Sequence, residues 1–169
     1  MRRTRQQWIS ELAPLASRAH ADLGAGEELQ LEIMENDDGV TRDRFAATRR
    51  EDIIRGSTQL GPHRDDLRIM VGGMDARLHA SQGQQRTAVI ALKLGVLESA
   101  RARFGFPPVL LLDDVFSDLD AGRRSRLVER AMNEAGQVFL TCTEAAQAGA
   151  DLVRQAKVFQ VDSGRVTEA

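Results

Sequence analysis

The sequence predicts an α/β protein with a parallel sheet and flanking helices. Two short apolar runs, Val109 to Leu112 and Gln137 to Thr141, have the composition of buried parallel strands. Between them, Arg123 to Ala135 has helical periodicity, with its apolar residues on one side. This strand–helix–strand order favours two parallel strands joined by a right-handed crossover.

The other segments also have recognisable periodicities. Helices are predicted over Thr4 to Asp22, over Arg42 to Arg55, and from Ser81 to about Arg103. The last should be largely buried, because apolar side chains occupy most of its faces. Strands are predicted at Glu28 to Met34, at Leu67 to Val71 with a Gly72-Gly73 hairpin into Ala76 to His79, and at Val158 to Val161 paired with Arg165 to Thr167.

Composition excludes several classes of protein. A chain of 169 residues that is 42% apolar can bury a sizeable core. The formal net charge of −2 argues against a wholly basic nucleic-acid binder. The longest strongly apolar run, Val109 to Leu112, is too short to span a bilayer, and no apolar stretch follows the basic N-terminus to form a signal peptide. With Cys142 as its single cysteine, the chain is expected to be cytoplasmic, without membrane association.

Two adjacent carboxylates, Asp113 and Asp114, directly follow the first apolar run. The sheets of α/β proteins bind their ligands at the C-terminal edges of the strands. One carboxylate at that edge can help to hold Mg²⁺, and the other can orient or deprotonate a water for in-line attack on a phosphate. The alternative is that the acid pair only ends the strand and caps a turn.

Ser81 is predicted to begin the long helix, because Ser81 and Gln84 have the spacing of a capping box. The free backbone N–H groups and the positive end of such a helix form an anion site, and Gly83 lets a phosphate approach closely. Many helices begin with such a cap, so a purely structural role is the alternative.

Together these segments resemble ABC-type ATPases, and most closely the RecF family of DNA repair proteins. Ala80 to Arg86 resembles the ABC signature, Val109 to Asp114 the Walker B segment and Ser117 to Asp120 the D-loop. Gly61 to Asp66, which reads Gly-Pro-His-Arg-Asp-Asp, resembles a RecF family fingerprint. A signature, a helix, a Walker B segment and a D-loop within about forty residues follow one another in the ABC order.

The resemblance implies roles for individual residues. Asp113 matches the magnesium-associated Walker B acid, and Asp114 matches the hydrolytic carboxylate, although most ABC proteins carry Glu there. The residues implied to contact the γ-phosphate of ATP held by the opposite protomer are Ser81, Gly83 and Gln84. The D-loop residues implied to cross the dimer interface are Ser117, Asp118, Leu119 and Asp120.

One expected motif is absent from the sequence. The only lysines, Lys93 and Lys157, are not preceded by the glycine of a Walker A loop. That loop lies near the N-terminus of RecF-like proteins, so the resemblance implies the C-terminal half of an ABC-type ATPase head with part of a helical second lobe. Residues 1–56 would be the remnant of that lobe and residues 57–169 the ATPase half. Cys142 would stand at the place of the transporter switch histidine, or would simply be a small buried residue.

The resemblance also implies a function. Complete relatives bind ATP and Mg²⁺, dimerise around nucleotide, and engage DNA at single-strand gaps together with RecO and RecR. This chain would contribute to a slow ATPase only with an N-terminal Walker A half, and alone it is expected neither to bind ATP tightly nor to hydrolyse it. One alternative is a non-enzymatic module that completes a nucleotide site on a separate Walker A subunit. A metal-dependent phosphohydrolase built on Asp113 and Asp114 is disfavoured, because no further ligand cluster is evident.

Three basic features are compatible with more than one role. His63 in the Gly-Pro-His-Arg turn is expected to be solvated or structurally bonded, whereas Arg64 could contact a phosphate or DNA backbone. The arginines between Arg42 and Arg55 form either a DNA-facing patch or an ordinary solvated face.

Overall fold

The computed structural model describes residues 2–36, 39–117 and 119–169. The helices in these ranges are α1 (Arg2–Asp22), α2 (Arg42–Arg55), α3 (Ala76–His79), α4 (Gln82–Phe104), α5 (Ala121–Glu134) and α6 (Ala150–Gln155). The strands are β1 (Leu29–Met34), β2 (Asp66–Val71), β3 (Met74–Asp75), β4 (Val109–Leu112), β5 (Gln137–Leu140), β6 (Phe159–Asp162) and β7 (Arg165–Glu168). Short 3-10 turns cover Pro62–Arg64 and Ala145–Ala148.

The predicted α/β unit is confirmed. Strands β4 and β5 are parallel, paired from Val109 with Gln137 to Leu112 with Leu140, and α5 connects them. The C-terminal hairpin is confirmed as well, since β6 and β7 pair antiparallel. The 3-10 turn at Ala145–Ala148 and helix α6 were not predicted, because neither segment has a long periodic pattern.

A second sheet is antiparallel, in the order β1-β2-β3. Strands β1 and β2 pair over their full lengths, from Leu29 with Val71 to Met34 with Asp66. The hairpin after Gly72-Gly73 exists, but its second strand is only Met74–Asp75. The prediction of a strand over Ala76 to His79 is wrong. Asp75 ends the strand there because its carboxylate accepts the N–H of Arg77, at 3.0 Å, and so caps a helical turn.

Helices α1 and α4 pack against each other and form much of the core. The helix α1 buries Ile9, Leu12, Ala16 and Ala19, as its predicted periodicity requires. The helix α4 is buried on the side that includes Ile90, Ala91, Leu94 and Leu97. Burial on most faces of α4 is not observed, because Val89 and Val96 are 46% and 40% exposed.

The parallel strands are buried on one face only. Leu110 and Leu112 lie in the core, whereas Val109 is 55%, Leu111 63% and Phe139 53% exposed. The expectation that both runs are fully buried strands is therefore wrong for the described part of the chain. The apolar side chains on the other face of this strand pair are exposed, because no described helix or strand packs against that face.

Two further points concern the organisation of the chain. The expected division into residues 1–56 and 57–169 stays a prediction, although α1 packs against α4 and β1 pairs with β2 across that boundary. In the described ranges, none of the helices combines the length and the apolar character that a membrane crossing requires.

Candidate functional site

The candidate site begins at the C-terminal edge of β4, where Asp113 and Asp114 follow the strand. Thr141 occupies the corresponding position after β5, since its N–H donates to the carbonyl of Leu112 at 2.9 Å and extends the parallel ladder by one residue. Its hydroxyl donates to Asp113 Oδ1 at 2.5 Å and accepts the N–H of Asp114 at 3.0 Å. One hydroxyl group therefore bridges both aspartates.

Asp114 has a left-handed backbone, with φ of 44°. For a residue with a side chain this conformation costs about 1 to 3 kcal/mol, so the surrounding structure must hold it in place. The carbonyl of Asp114 accepts hydrogen bonds from Arg86 Nη1 at 2.6 Å and from Ser117 Oγ at 3.2 Å. Arg86 Nη1 also donates to Ser117 Oγ at 2.6 Å.

The predicted capping box at the start of α4 is confirmed. Ser81 Oγ accepts the N–H of Gln84 at 3.2 Å, and Gln84 Oε1 accepts the N–H of Ser81 at 2.8 Å. Gln84 Nε2 donates to Glu27 Oε1 at 2.8 Å. The N–H groups of Gln82 and Gly83, in the first turn of the helix, have no acceptor within it, and such groups are suited to bind an anion.

The predicted D-loop connects the aspartates to α5. Asp120 is the N-cap of α5, and its Oδ1 accepts the N–H of Arg123 at 2.9 Å. That hydrogen bond is the main reason why the pKa of Asp120 is lowered from its ordinary value. The exposed Ser117 lies between the buried side chains of Phe116 and Leu119, which anchor the loop. Asp118, another predicted D-loop residue, lies outside the described residues.

The structure thus brings Asp113, Asp114 and Ser117 together and links them through Arg86 to α4, the helix predicted to carry the signature. Sequence reasoning missed two members of this cluster, Arg86 and Thr141. Arg86 ends the signature segment, and Thr141 follows the second parallel strand at the level of Asp113. Thr141 carries a signal only when the register of β4 and β5 is known, and the role of Arg86 depends on how α4 packs beside the turn at Asp114.

A metal ion at this site would have few ligands from the protein, and its other coordination positions would be open to water and to the phosphate oxygens of a bound substrate. Among the described residues there is no group of three or more His, Cys, Asp or Glu side chains that could hold a metal ion. Mg²⁺ commonly takes one or two protein carboxylates and completes its coordination with water and substrate phosphates, which suits the exposed Asp113. Cys142, beyond Thr141, is only partly buried, and it packs against the core.

The Gly-Pro-His-Arg-Asp-Asp segment is a firmly held turn. Asp65, whose side chain is 1% exposed, accepts two hydrogen bonds of 2.9 Å from Arg2. These bonds are the main reason why the pKa of Asp65 is lowered. His63 Nε2 lies 2.8 Å from the carbonyl oxygen of Thr58, so this histidine is structurally bonded. Arg64 is exposed on the turn.

Known proteins share this sequence over much of its length. The DNA replication and repair protein RecF of Symbiobacterium thermophilum is 45% identical over 154 residues, which cover 83% of this chain and 40% of that protein. The RecF protein of Chloroflexus aggregans is 39% identical over 170 residues, which cover 94% of this chain and 43% of that protein. The chain thus spans less than half the length of these relatives. No family model matches it.

Solved structures share the fold. The recombination mediator protein RecF with ATP, from the RecFOR pathway, superposes with a TM-score of 0.68 at 28% identity, over 99% of this chain and 46% of that one. An SMC head bound to the C-terminal winged-helix domain of ScpA superposes with a TM-score of 0.55 at 17% identity, a likeness of fold alone.

The fold is that of the C-terminal half of an ABC-type ATPase head, with a parallel strand pair and flanking helices. The chain belongs to the RecF family of DNA replication and repair proteins and corresponds to its C-terminal portion.

Proposed function

We propose that this chain is the C-terminal part of a RecF-like recombinational repair ATPase that acts as an ATP-dependent dimer. The observation that carries the proposal is the contact between the two halves of the candidate site. Arg86, in the helix that begins with the Ser81 cap, donates to the backbone of Asp114 at the edge of the parallel sheet. A signature helix and a Walker B turn joined in this way are the parts that such a head requires.

Each site residue then has a distinct chemical task. Asp113 would hold Mg²⁺ together with phosphate oxygens and water, and the ion would neutralise charge that develops on the phosphates. Asp114 would orient or deprotonate the attacking water. Its side chain is one methylene shorter than the usual Glu, which favours slow turnover.

The helix α4 and the D-loop would serve the opposite protomer. The residues proposed to contact its γ-phosphate are Ser81, Gly83 and Gln84. The Ser81 hydroxyl, which accepts the N–H of Gln84, still has its own proton available for a phosphate oxygen. The residues proposed to cross the dimer interface in the D-loop are Ser117, Asp118 and Asp120.

The N-terminal Walker A half would pack on the open face of the parallel strands. Val109, Leu111 and Phe139 expose large apolar side chains on that face. A contiguous apolar surface of this kind marks an interaction site. The relatives are more than twice as long as the matched segment, so they contain enough additional chain to cover the face.

The proposed partners and location follow from membership of the family. They are DNA at single-strand gaps, RecO-like and RecR-like mediators, and a second copy of the complete protein, in the cytoplasm. The alternative is a non-enzymatic module that completes a nucleotide site on a separate subunit. Neither Lys93 nor Lys157 lies in a Walker A loop, so both proposals take that loop from another segment.

The test is ATP-dependent dimerisation of an assembled protein. This chain is mixed with, or joined to, the N-terminal portion of the Symbiobacterium thermophilum relative, and its mass is measured by light scattering with and without ATP and Mg²⁺. We expect a dimer with ATP, which Ser81→Arg abolishes because the arginine fills the phosphate position. The matched control, Ser10→Arg on the exposed side of α1, should leave dimerisation unchanged. An assembly that stays monomeric with ATP would contradict the proposal.

A further inference from the structure

The two aspartates occupy consecutive positions, and this creates a geometric problem. In an extended strand, consecutive side chains lie on opposite faces of the sheet. A carboxylate that holds a metal ion at Asp113 and one that orients water at Asp114 would then diverge. They can serve the same phosphate only if the backbone leaves the extended conformation between them, as it does at the left-handed Asp114.

Thr141 holds that backbone from the side of β5. Its main-chain position is fixed by the bond from its N–H to the Leu112 carbonyl. Its hydroxyl has one proton, which it donates to Asp113 Oδ1, and it accepts the N–H of Asp114. The same group therefore sets the orientation of one carboxylate and the backbone of the next residue.

Arg86 holds the same residue from the side of α4. Its guanidinium donates to the Asp114 carbonyl, to which Ser117 Oγ also donates. Both polar backbone groups of Asp114 thus have partners that lie on other elements. This explains how a non-glycine residue persists in a conformation that is unfavourable in isolation.

We propose that Thr141 and Arg86 are positioning residues for the ATPase site. They hold Asp114 in its left-handed conformation, so that the carboxylates of Asp113 and Asp114 face one nucleotide phosphate. The catalytic part of this inference rests on the proposed function. The clamp, by which we mean the hydrogen bonds that join Thr141 and Arg86 to the backbone of Asp114, is a property of this chain alone.

The clamp is tested first on the chain alone. Thr141→Val removes the hydroxyl at nearly constant volume, and Thr141→Ser retains it. Arg86→Met keeps the length of the side chain but removes its donors. The readouts are the three-bond coupling between the amide and α protons of Asp114, which reports φ, and the exchange rate of its amide proton. We expect both to change in Thr141→Val and Arg86→Met and to stay at wild-type values in Thr141→Ser. Wild-type values in all variants would overturn the proposal.

The catalytic consequence is tested in the assembly with the N-terminal half. A misplacement of a reacting group by about 1 Å can cost about 100-fold in rate, so we expect kcat to fall by about 10- to 100-fold in Thr141→Val, with KM for ATP unchanged. Thr141→Ser should restore most of the rate. An equal loss in both variants, or a loss confined to KM, would overturn the positioning role. If the wild-type assembly neither binds nor hydrolyses ATP, the proposed function fails, while the coupling and exchange data still decide whether the clamp exists.

Discussion

The backbone of Ala16 in α1 lies directly against Gly95 in α4. A Cβ on Gly95 would fall 2.9 Å from the Ala16 nitrogen and 3.1 Å from its Cα, both closer than ordinary contacts. The obstacle is main chain, which cannot move aside as a flexible side chain could. The two helices therefore lie too close together at this point to admit any side chain at position 95.

Gly95→Ala should therefore destabilise the chain, although alanine favours helices. Overpacking of a well-packed core costs about 1 to 3 kcal/mol in the free energy of unfolding, which urea denaturation measures. Gly26→Ala is the matched control, since a Cβ there meets nothing within 4 Å, and we expect a change of no more than about 0.5 kcal/mol. Equal stability of the two variants would show that the helices can separate without cost.

Asp114→Asn should separate hydrolysis from nucleotide-dependent dimerisation. A positioned general base contributes about 100- to 10,000-fold, so phosphate release by the assembly should fall at least 100-fold. Dimerisation with ATP should persist, because the asparagine side chain fills nearly the same space as the aspartate and, being uncharged, does not repel the phosphates of ATP. Asp162→Asn, in the exposed C-terminal hairpin, is the control. Undiminished phosphate release would remove Asp114 from the mechanism.

His20 should make the chain less stable in mild acid. Its side chain is buried, and desolvation lowers its pKa from 6.5, so the unfolded chain binds a proton more readily than the folded one. The contribution of His20 to the free energy of unfolding is fully present above about pH 6.5, and it is lost as the pH falls through the pKa of His20 in the folded chain. We expect the melting temperature to drop between pH 7 and pH 5 in the wild type and to drop less in His20→Gln.

The exposed His79 provides the control for this pH dependence. His79→Gln should retain the wild-type slope of melting temperature against pH. If His79→Gln flattens the slope and His20→Gln does not, the acid sensitivity belongs to a surface histidine rather than to the buried one.

Leu111→Lys should prevent assembly with the N-terminal half without unfolding this chain. The leucine is 63% exposed here, so a charge costs little in the isolated chain but would be buried against the apolar partner. Ile54→Lys on α2, where the isoleucine is 77% exposed, is the matched control and should assemble normally. Co-purification and the melting temperature of each variant provide the measurements. Normal assembly of Leu111→Lys would place the partner elsewhere.

Sequence patterns predicted the elements whose cause is local. The bounds of α2 and the capping box at Ser81 are as expected, because caps and periodicity act within a few residues. The bridging hydroxyl of Thr141 and the ion pair between Arg2 and Asp65 were not predictable, since they depend on strand register and on residues 63 apart.

The sequence pattern also gave a wrong expectation for the burial of strand β4. The unbroken apolar run through Leu111 indicates a strand covered on both faces, yet the described chain covers only one. Under the proposed function the N-terminal half would cover the second face, and the apolar run would then match the burial of the strand in the assembled protein.

Helix α2 has no buried residue, although Thr41 and Gly56 cap it at both ends. It lies in the connection between β1 and β2, which pair along their whole lengths. A protease that cuts after its exposed arginines would therefore produce two fragments that stay associated through the sheet and co-elute until denaturant separates them. For the same reason, residues added or deleted within α2 should disturb the two sheet strands little.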